Sequence, residues 1–345
     1  MKKDITTEII TYLTGYPGSS SKAVHEGLNS EVSYATVKRL LTKLEQDKLI
    51  ISEGQGKATR YSNSPTRRLQ APFDMEAYFE KEIDQRDIKD GYNFEVIPML
   101  AGIDFFTVAE QKKLDGLQAR FRSNISKLDE TTYKKEMERL VIDLSWKSSQ
   151  IEGNTYSLLE TERLLTEKET AAGKPQSDAV MLLNHKDAIN FIVDHKDYVS
   201  PLSVRGIEDI HSILVKELGV DRNIRQRRVG ISGTNYRPLD NEHQIREALE
   251  AMSELINGKP GVFEKALLTL VMLSYIQAFV DGNKRTARII SNAVLVAHDH
   301  CPVSFRTVDP VEYKKAMLVF YEQNNINPVK AMFIAQYQFA VDTYF

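Results

Sequence analysis

Gln277-Ala278-Phe279-Val280-Asp281-Gly282-Asn283-Lys284-Arg285-Thr286-Ala287-Arg288 is the stretch that decides how this chain is read. It follows an apolar helical run, Leu267 to Tyr275, and leads into a second helical segment. A turn that opens a helix presents backbone N–H groups and positive charge to an anion. Gly282 lets the backbone approach a phosphate with no Cβ in the way. Asn283 and Lys284 open the second helix, where the dipole favours anions, and Lys284 adds a point charge. Arg285 and Arg288 are three apart and share a helix face, and guanidinium forks take phosphate oxygens in pairs.

A second motif lies upstream: Ser148-Ser149-Gln150-Ile151-Glu152-Gly153-Asn154. Ser148 and Glu152 are i and i+4, hence on one helix face, and Gly153-Asn154 reads as a helix C-cap. Taken alone, Glu152 is a helix-end glutamate with no special partner.

The two motifs together resemble the Fic family, whose signature reads His-x-Phe-x-Asp/Glu-Gly-Asn-Gly/Lys-Arg-x-x-Arg. The resemblance covers roughly residues 130–345. It implies an all-helical core with the signature loop between two central helices and a β-hairpin flap beside it. It also implies transfer of AMP from ATP to a protein hydroxyl. By the same resemblance, Phe279 pins the loop to the core and Asp281 holds Mg²⁺. A lone carboxylate beside nucleotide phosphates suits that ion. Gly282, Asn283, Lys284, Arg285 and Arg288 would hold the nucleotide. Ser148, Glu152 and Gly153 match the family's inhibitory pattern Ser/Thr-x-x-x-Glu-Gly/Asn. Its glutamate pairs with the second signature arginine, here Arg288, and denies it to the γ-phosphate.

One position departs. Where the family carries its catalytic histidine, this chain has Gln277. Transfer to a hydroxyl needs a proton acceptor, and an amide has none near neutral pH. Losing a positioned base costs roughly 10²–10⁴-fold in rate. The expectation is a chain that binds ATP and is nearly inactive. No other histidine obviously substitutes: His211 reads as structural, and His298 and His300, flanking Asp299, read as surface residues.

A chain of 345 residues with 42% hydrophobic and 27% charged residues fits an ordinary globular protein of two or three domains. The single cysteine, Cys301, excludes an internal disulfide and reads as a small buried residue. No apolar run reaches ~18 residues, so no membrane span is expected. The N-terminus lacks a secretory h-region, and a cytoplasmic location is the expectation. Residues 1–70 carry 11 Lys/Arg against 7 Asp/Glu, so a basic N-terminal piece stands on an acidic body.

Residues 1–64 read as three helices and a hairpin, with strands Ile50–Glu53 and Ala58–Tyr61 around a Gly54-Gln55-Gly56-Lys57 turn. That order resembles a winged helix-turn-helix. In that reading Lys38 and Arg39 lie on the recognition helix and Arg60 on the wing, suited to DNA phosphates. Protein contacts or dimerisation remain the alternative use. Residues 65–104 read as a proline-interrupted connector and 105–345 as the core, with the inhibitory helix near 131–152 and the signature loop at 277–288. Arg228 to Pro238 alternates and is rich in Gly and Asn, which suggests a β-hairpin flap that includes Val229, Gly230 and Ile231.

The fold class expected is therefore mainly α. The leading function is a Fic-type protein adenylyltransferase crippled at Gln277, with ATP and Mg²⁺ as substrate and cofactor. Its target would be another protein or the chain itself. The alternative is a non-catalytic, nucleotide-sensing regulator that binds DNA through residues 1–64. Transfer of a group other than AMP is a third reading, and a homodimer is left open.

Overall fold

In the computed structural model, which describes residues 5–29, 31–47, 49–64, 66–88 and 91–345, local caps set the first elements. Helices α1 (Ile5–Gly15), α2 (Ser21–Gly27) and α3 (Tyr34–Gln46) come first. Ser20 Oγ accepts from Ala23 N and Ser33 Oγ from Thr36 N, so each serine satisfies one orphan N–H of the helix it opens. Strands β1 (Ile50–Glu53) and β2 (Arg60–Asn63) pair antiparallel, with Ile50 opposite Asn63. The second strand starts two residues later than expected, because Gly56–Ala58 forms a 3-10 turn after Gly54 at φ +83°. Ile9, Ile10, Leu13, Val24, Val37, Leu41, Leu44 and Ile50 bury a separate small core.

Residues 66–104 carry three short helices, α4 (Arg67–Gln70), α5 (Met75–Phe79) and α6 (Val96–Ala101). Their side chains are woven into the body. Leu69, Val96, Leu100 and Ile103 belong to the main core. Arg86 pairs with the buried Glu322 at 3.1 Å, and Ile326 N donates to Leu69 O.

The body is helical: α7 (Val108–Ile125), α8 (Glu130–Ile151), α9 (Leu158–Glu167), α10 (Gln176–Asp194), α11 (Val204–Leu214), α12 (Glu242–Gly258), α13 (Val262–Ile276), α14 (Asn283–Ala297), α15 (Pro310–Gln323) and α16 (Asn327–Tyr344). They fill residues 105–345, and α8 covers the inhibitory helix expected near 131–152. Central α13 is buried on every face, as a helix without a polar stripe must be. It packs on α14, and α8, α11, α15 and α16 surround the pair. A satellite cluster of Ile142, Tyr156, Leu164, Leu165, Ala179 and Leu182 lies under α8, α9 and α10.

The mainly helical class is borne out, and the described residues form one antiparallel hairpin. That hairpin is β1–β2, at the N-terminus. Residues 228–238 run beside the signature loop as extended chain and turn, and their single ladder contact is a bridge from Arg237 to Gly91. The backbone and side chains there are tied to the connector instead: Arg86 Nη2 donates to Gly233 O and Asn235 Nδ2 to Asp84 Oδ1, both at 2.8 Å. Among the described residues, no helix is long and apolar enough to cross a membrane.

Candidate functional site

Helix α13 ends because Gln277 turns left-handed, at φ 53° and ψ 56°. A non-glycine residue there is strained by ~1–3 kcal/mol and persists only where its surroundings over-determine it. They do here. Gln277 Nε2 donates to Ser274 O at 2.6 Å. Gln277 O accepts from the buried Arg225 Nε at 2.6 Å, and Arg225 N donates to Ala278 O. Among the described residues, no carboxylate pairs with Arg225. Its Nη1 donates to Arg227 O at 2.8 Å and its Nη2 to Leu239 O. One guanidinium thus ties both stems of the 228–238 segment to the signature loop.

Beyond Gln277, Phe279 is buried and stacked on His211, with ring centroids 3.6 Å apart and planes 7° from parallel. The side chain of Asn283 turns back on Phe279, donating to its carbonyl and accepting from its N–H, each at 2.8 Å. Gly282 sits at φ +81°, and a Cβ there would lie 3.2 Å from His211 Cε1. His211 is structural, as expected: burial pushes its pKa down to about 4, so the ring under the loop is neutral.

Gly282 is the N-cap of α14 and supplies no side-chain hydrogen bond to its first turn. Asn283 and Lys284 of that turn line a cavity, and their N–H groups carry no side-chain cap. The cavity is about 300 Å³. Glu152, Val229, Gly230, Ile231, Gln277, Asp281, Gly282, Asn283 and Lys284 all line it, along with Lys314. A larger, mostly apolar cavity of about 920 Å³ lies elsewhere, between Leu49, Phe73, Phe106 and Met332. It holds none of the signature residues.

Arg285 and Arg288 do not line the smaller cavity; they lie buried behind its wall. Arg285 Nη2 pairs with Asp281 Oδ2 at 3.0 Å. Arg288 Nη2 pairs with Glu152 Oε1 at 2.9 Å and donates to Ser148 O at 2.8 Å, while its Nε donates to Ser148 Oγ at 2.7 Å. Its guanidinium also lies 5.2 Å from the centre of the Tyr313 ring. Lys284 Nζ reaches the other carboxylate oxygen, Glu152 Oε2, at 3.2 Å. Burial pushes the Glu152 carboxyl up, but Arg288 and Lys284 outweigh it and hold the group below the usual range. Gly153, at φ +97°, ends α8 and lets the chain leave after Glu152.

The Arg285 Nε and Nη1 and Arg288 Nη1 atoms are buried with no hydrogen-bond partner among the described residues. Orphaned cationic donors behind an uncapped helix N-terminus suit phosphate oxygens. Asp281 lines the cavity with its side chain 62% exposed. No cluster of three acidic, histidine or cysteine ligands occurs among the described residues. A metal bound here would take one carboxylate and draw its remaining ligands from phosphate and water, as Mg²⁺ does. His298 and His300 bond to nearby carbonyls and form no cluster with Asp299, which pairs with Lys196. Lys38, Arg39 and Arg60 are all exposed in the N-terminal module, and none of them lines this cavity.

Sequence reasoning missed the Lys284–Glu152 contact and the roles of Arg225, Tyr313 and His185. Arg225 stands among several arginines, and His185 is 37 positions from Ser148, its partner at 2.9 Å. No local pattern marks either.

The structure is thus a helical body around a buried central helix, with a cation-bearing loop held by an upstream glutamate. Residues 201–295 match the model of the Fic/DOC family. It is 28% identical over 173 residues to a protein adenylyltransferase Fic of Nematostella vectensis. That match covers 48% of this chain and 40% of the relative, well under half of the relative's length. Among solved structures, the fold is similar to a Fic-domain-containing signalling protein of Bacteroides thetaiotaomicron, with a TM-score of 0.56 at 20% identity over 67% of this chain and 96% of that one. It is also similar to Fic-1 of C. elegans, with a TM-score of 0.60 at 16% identity over 99% and 98% of the two chains.

Proposed function

We propose that this chain is a Fic-type protein adenylyltransferase scaffold that binds ATP and is held nearly inactive in two ways. Gln277 stands where a base is needed, and Glu152 occupies the cations that would orient the phosphates. The observation that carries this is Glu152, clasped by both Lys284 and Arg288 at the wall of the signature cavity. In the proposed complex, Lys284 and the first-turn N–H groups of α14 hold phosphate oxygens, and Gly282 permits their close approach. Asp281 would hold Mg²⁺, which neutralises phosphate charge. Val229, Gly230 and Ile231 also line the cavity, and an extended target segment would lie along them. Gln277 can hydrogen-bond an incoming hydroxyl but cannot take its proton.

The test is incorporation of label from α-labelled ATP with Mg²⁺. Gln277→His combined with Glu152→Gly should label protein, the chain itself included. The parent and Glu152→Gly should stay near background. Robust labelling by Glu152→Gly alone would show that the missing histidine is dispensable and that the chemistry is misassigned.

A second reading has its own support. The three helices and hairpin of residues 5–63 present Lys38, Arg39 and Arg60 to solvent, and Lys38 Nζ lies 5.7 Å from the centre of the exposed Tyr34 ring. In this reading that module binds DNA and the nucleotide site acts as a sensor without turnover.

A further inference from the structure

Ser148 Oγ, fully buried, stands between two groups: Arg288 Nε at 2.7 Å and His185 Nε2 at 2.9 Å. A guanidinium N–H can only donate, so Ser148 accepts from Arg288. The single hydroxyl proton is then available for His185. We infer that His185, on α10, is a positioning residue for the Glu152–Arg288 clasp: its Nε2 takes the Ser148 proton and so turns the oxygen lone pair toward Arg288. This rests on the reading of Glu152 as a latch on the nucleotide site.

Two further observations bear on the direction of that bond. His185 is completely buried, and burial together with the positive charges of Arg288 and Arg285 holds its pKa well below the usual imidazole range. The ring is therefore neutral and offers one lone pair. Its Nδ1 has no partner among the described residues. With the proton on Nδ1, the bonds run on without a break: His185 Nε2 accepts from Ser148, Ser148 accepts from Arg288, and Arg288 donates to Glu152, leaving only the Nδ1 N–H and Arg288 Nη1 without a partner among the described residues. With the proton on Nε2 instead, Ser148 would accept twice, and its own proton would have to leave the relay for the helix backbone.

The relay makes the guanidinium's orientation depend on an imidazole that touches neither Glu152 nor the cavity. Removing the acceptor frees the serine hydroxyl to rotate and bond the helix backbone. One of the contacts that hold Arg288 against α8 is then lost, and the clasp on Glu152 loosens. A nucleotide competes with Glu152 for Arg288 and Lys284, so a looser clasp appears as tighter ATP binding.

Calorimetric titration of Mg·ATP into the full-length chain tests this. Glu152→Gly should tighten binding. His185→Leu and Ser148→Ala should each tighten it by roughly three- to tenfold, the weight of one buried hydrogen bond. Neither should add to Glu152→Gly when combined with it. His185→Gln, whose amide oxygen can replace Nε2 as acceptor, should restore parental affinity. In the parent, the long-range ¹H–¹⁵N spectrum of the resonance that His185→Gln removes should show a neutral ring protonated on Nδ1. If Glu152→Gly leaves affinity unchanged, the latch reading itself fails. If it tightens binding while Ser148→Ala or His185→Leu does not, or if the spectrum shows an Nε2-protonated ring, the His185 inference is overturned and the latch stands. Should His185→Leu fold poorly, Ser148→Ala, His185→Gln and the parent spectrum decide the matter.

Discussion

Lys284 and Arg288 hold opposite oxygens of the same carboxylate, Glu152 Oε2 at 3.2 Å and Oε1 at 2.9 Å. The two cations differ in exposure. Arg288 is fully buried, while Lys284 keeps 22% of its side chain in solvent and lines the cavity. Glu152 therefore spans from a buried anchor to a residue that a phosphate can reach. Competition between this carboxylate and a nucleotide is decided first at Lys284.

Lys284 should accordingly matter for ATP only when Glu152 is gone. In the Glu152→Gly background, Lys284→Ala should weaken Mg·ATP binding roughly tenfold or more, the loss of a charged hydrogen bond. In the parent, where the lysine is already engaged, the same substitution should cost less than about threefold. Calorimetry on the four proteins closes the cycle. Equal losses in both backgrounds would mean that Glu152 and the nucleotide do not compete for this group.

The clasp also has a pH signature. The folded-state pKa of Glu152 lies below its ordinary 4.5, so its ion pairs contribute stability that is fully present above that value and is lost as pH falls through the depressed one. The melting-temperature gap between the parent and Glu152→Gln should hold steady from about pH 7 to pH 5 and close in stronger acid. A gap that widens on acidification would reverse the sign and refute a stabilising clasp.

Gly282 and Gly153 both sit at positive φ, but their surroundings differ. A Cβ at Gly282 meets His211 and Val215 within 3.3 Å, whereas one at Gly153 meets nothing within 4 Å. Gly282→Ala should cost ~1–3 kcal/mol from strain and more from displacing the stacked His211, at about 2–4 °C of melting temperature per kcal/mol. Gly153→Ala should cost the strain alone. Thermal unfolding of the two variants checks the order, and a Gly153→Ala protein that is the less stable of the two contradicts it.

If the N-terminal module binds DNA, its affinity should fall linearly in log–log terms with salt, because each phosphate contact releases counterions. Removing Lys38, Arg39 and Arg60 together should lower the slope by up to about three units. Fluorescence anisotropy at several salt concentrations gives both numbers. Absence of binding at low salt would leave protein contacts as the module's use.

Much of this was legible in the sequence. The ten long helices follow apolar periodicity, and α13 stands out as a run with no polar stripe. Glu152 facing Arg288 follows from the family resemblance. The rest depends on distance in space. Residues 228–238 alternate like a hairpin, but Gly233, Asn235 and Arg237 find partners in Arg86, Asp84 and Gly91, far away in sequence, and no self-paired ladder forms among the described residues. Arg285 and Arg288 share a helix face as read, yet packing draws one to Asp281 and the other to Ser148 and Glu152. Periodicity places a residue on a face; it does not say which neighbour from another helix waits there.

Arg225 closes residues 226–239 like a buckle, with Arg227 O and Leu239 O at its two ends and Gln277 O beneath. A bound chain that pried those two ends apart would have to break bonds on the guanidinium that also keeps Gln277 in its left-handed turn. The rim and the floor of the cavity therefore share one guanidinium, so a change at either end bears on the other through a single side chain.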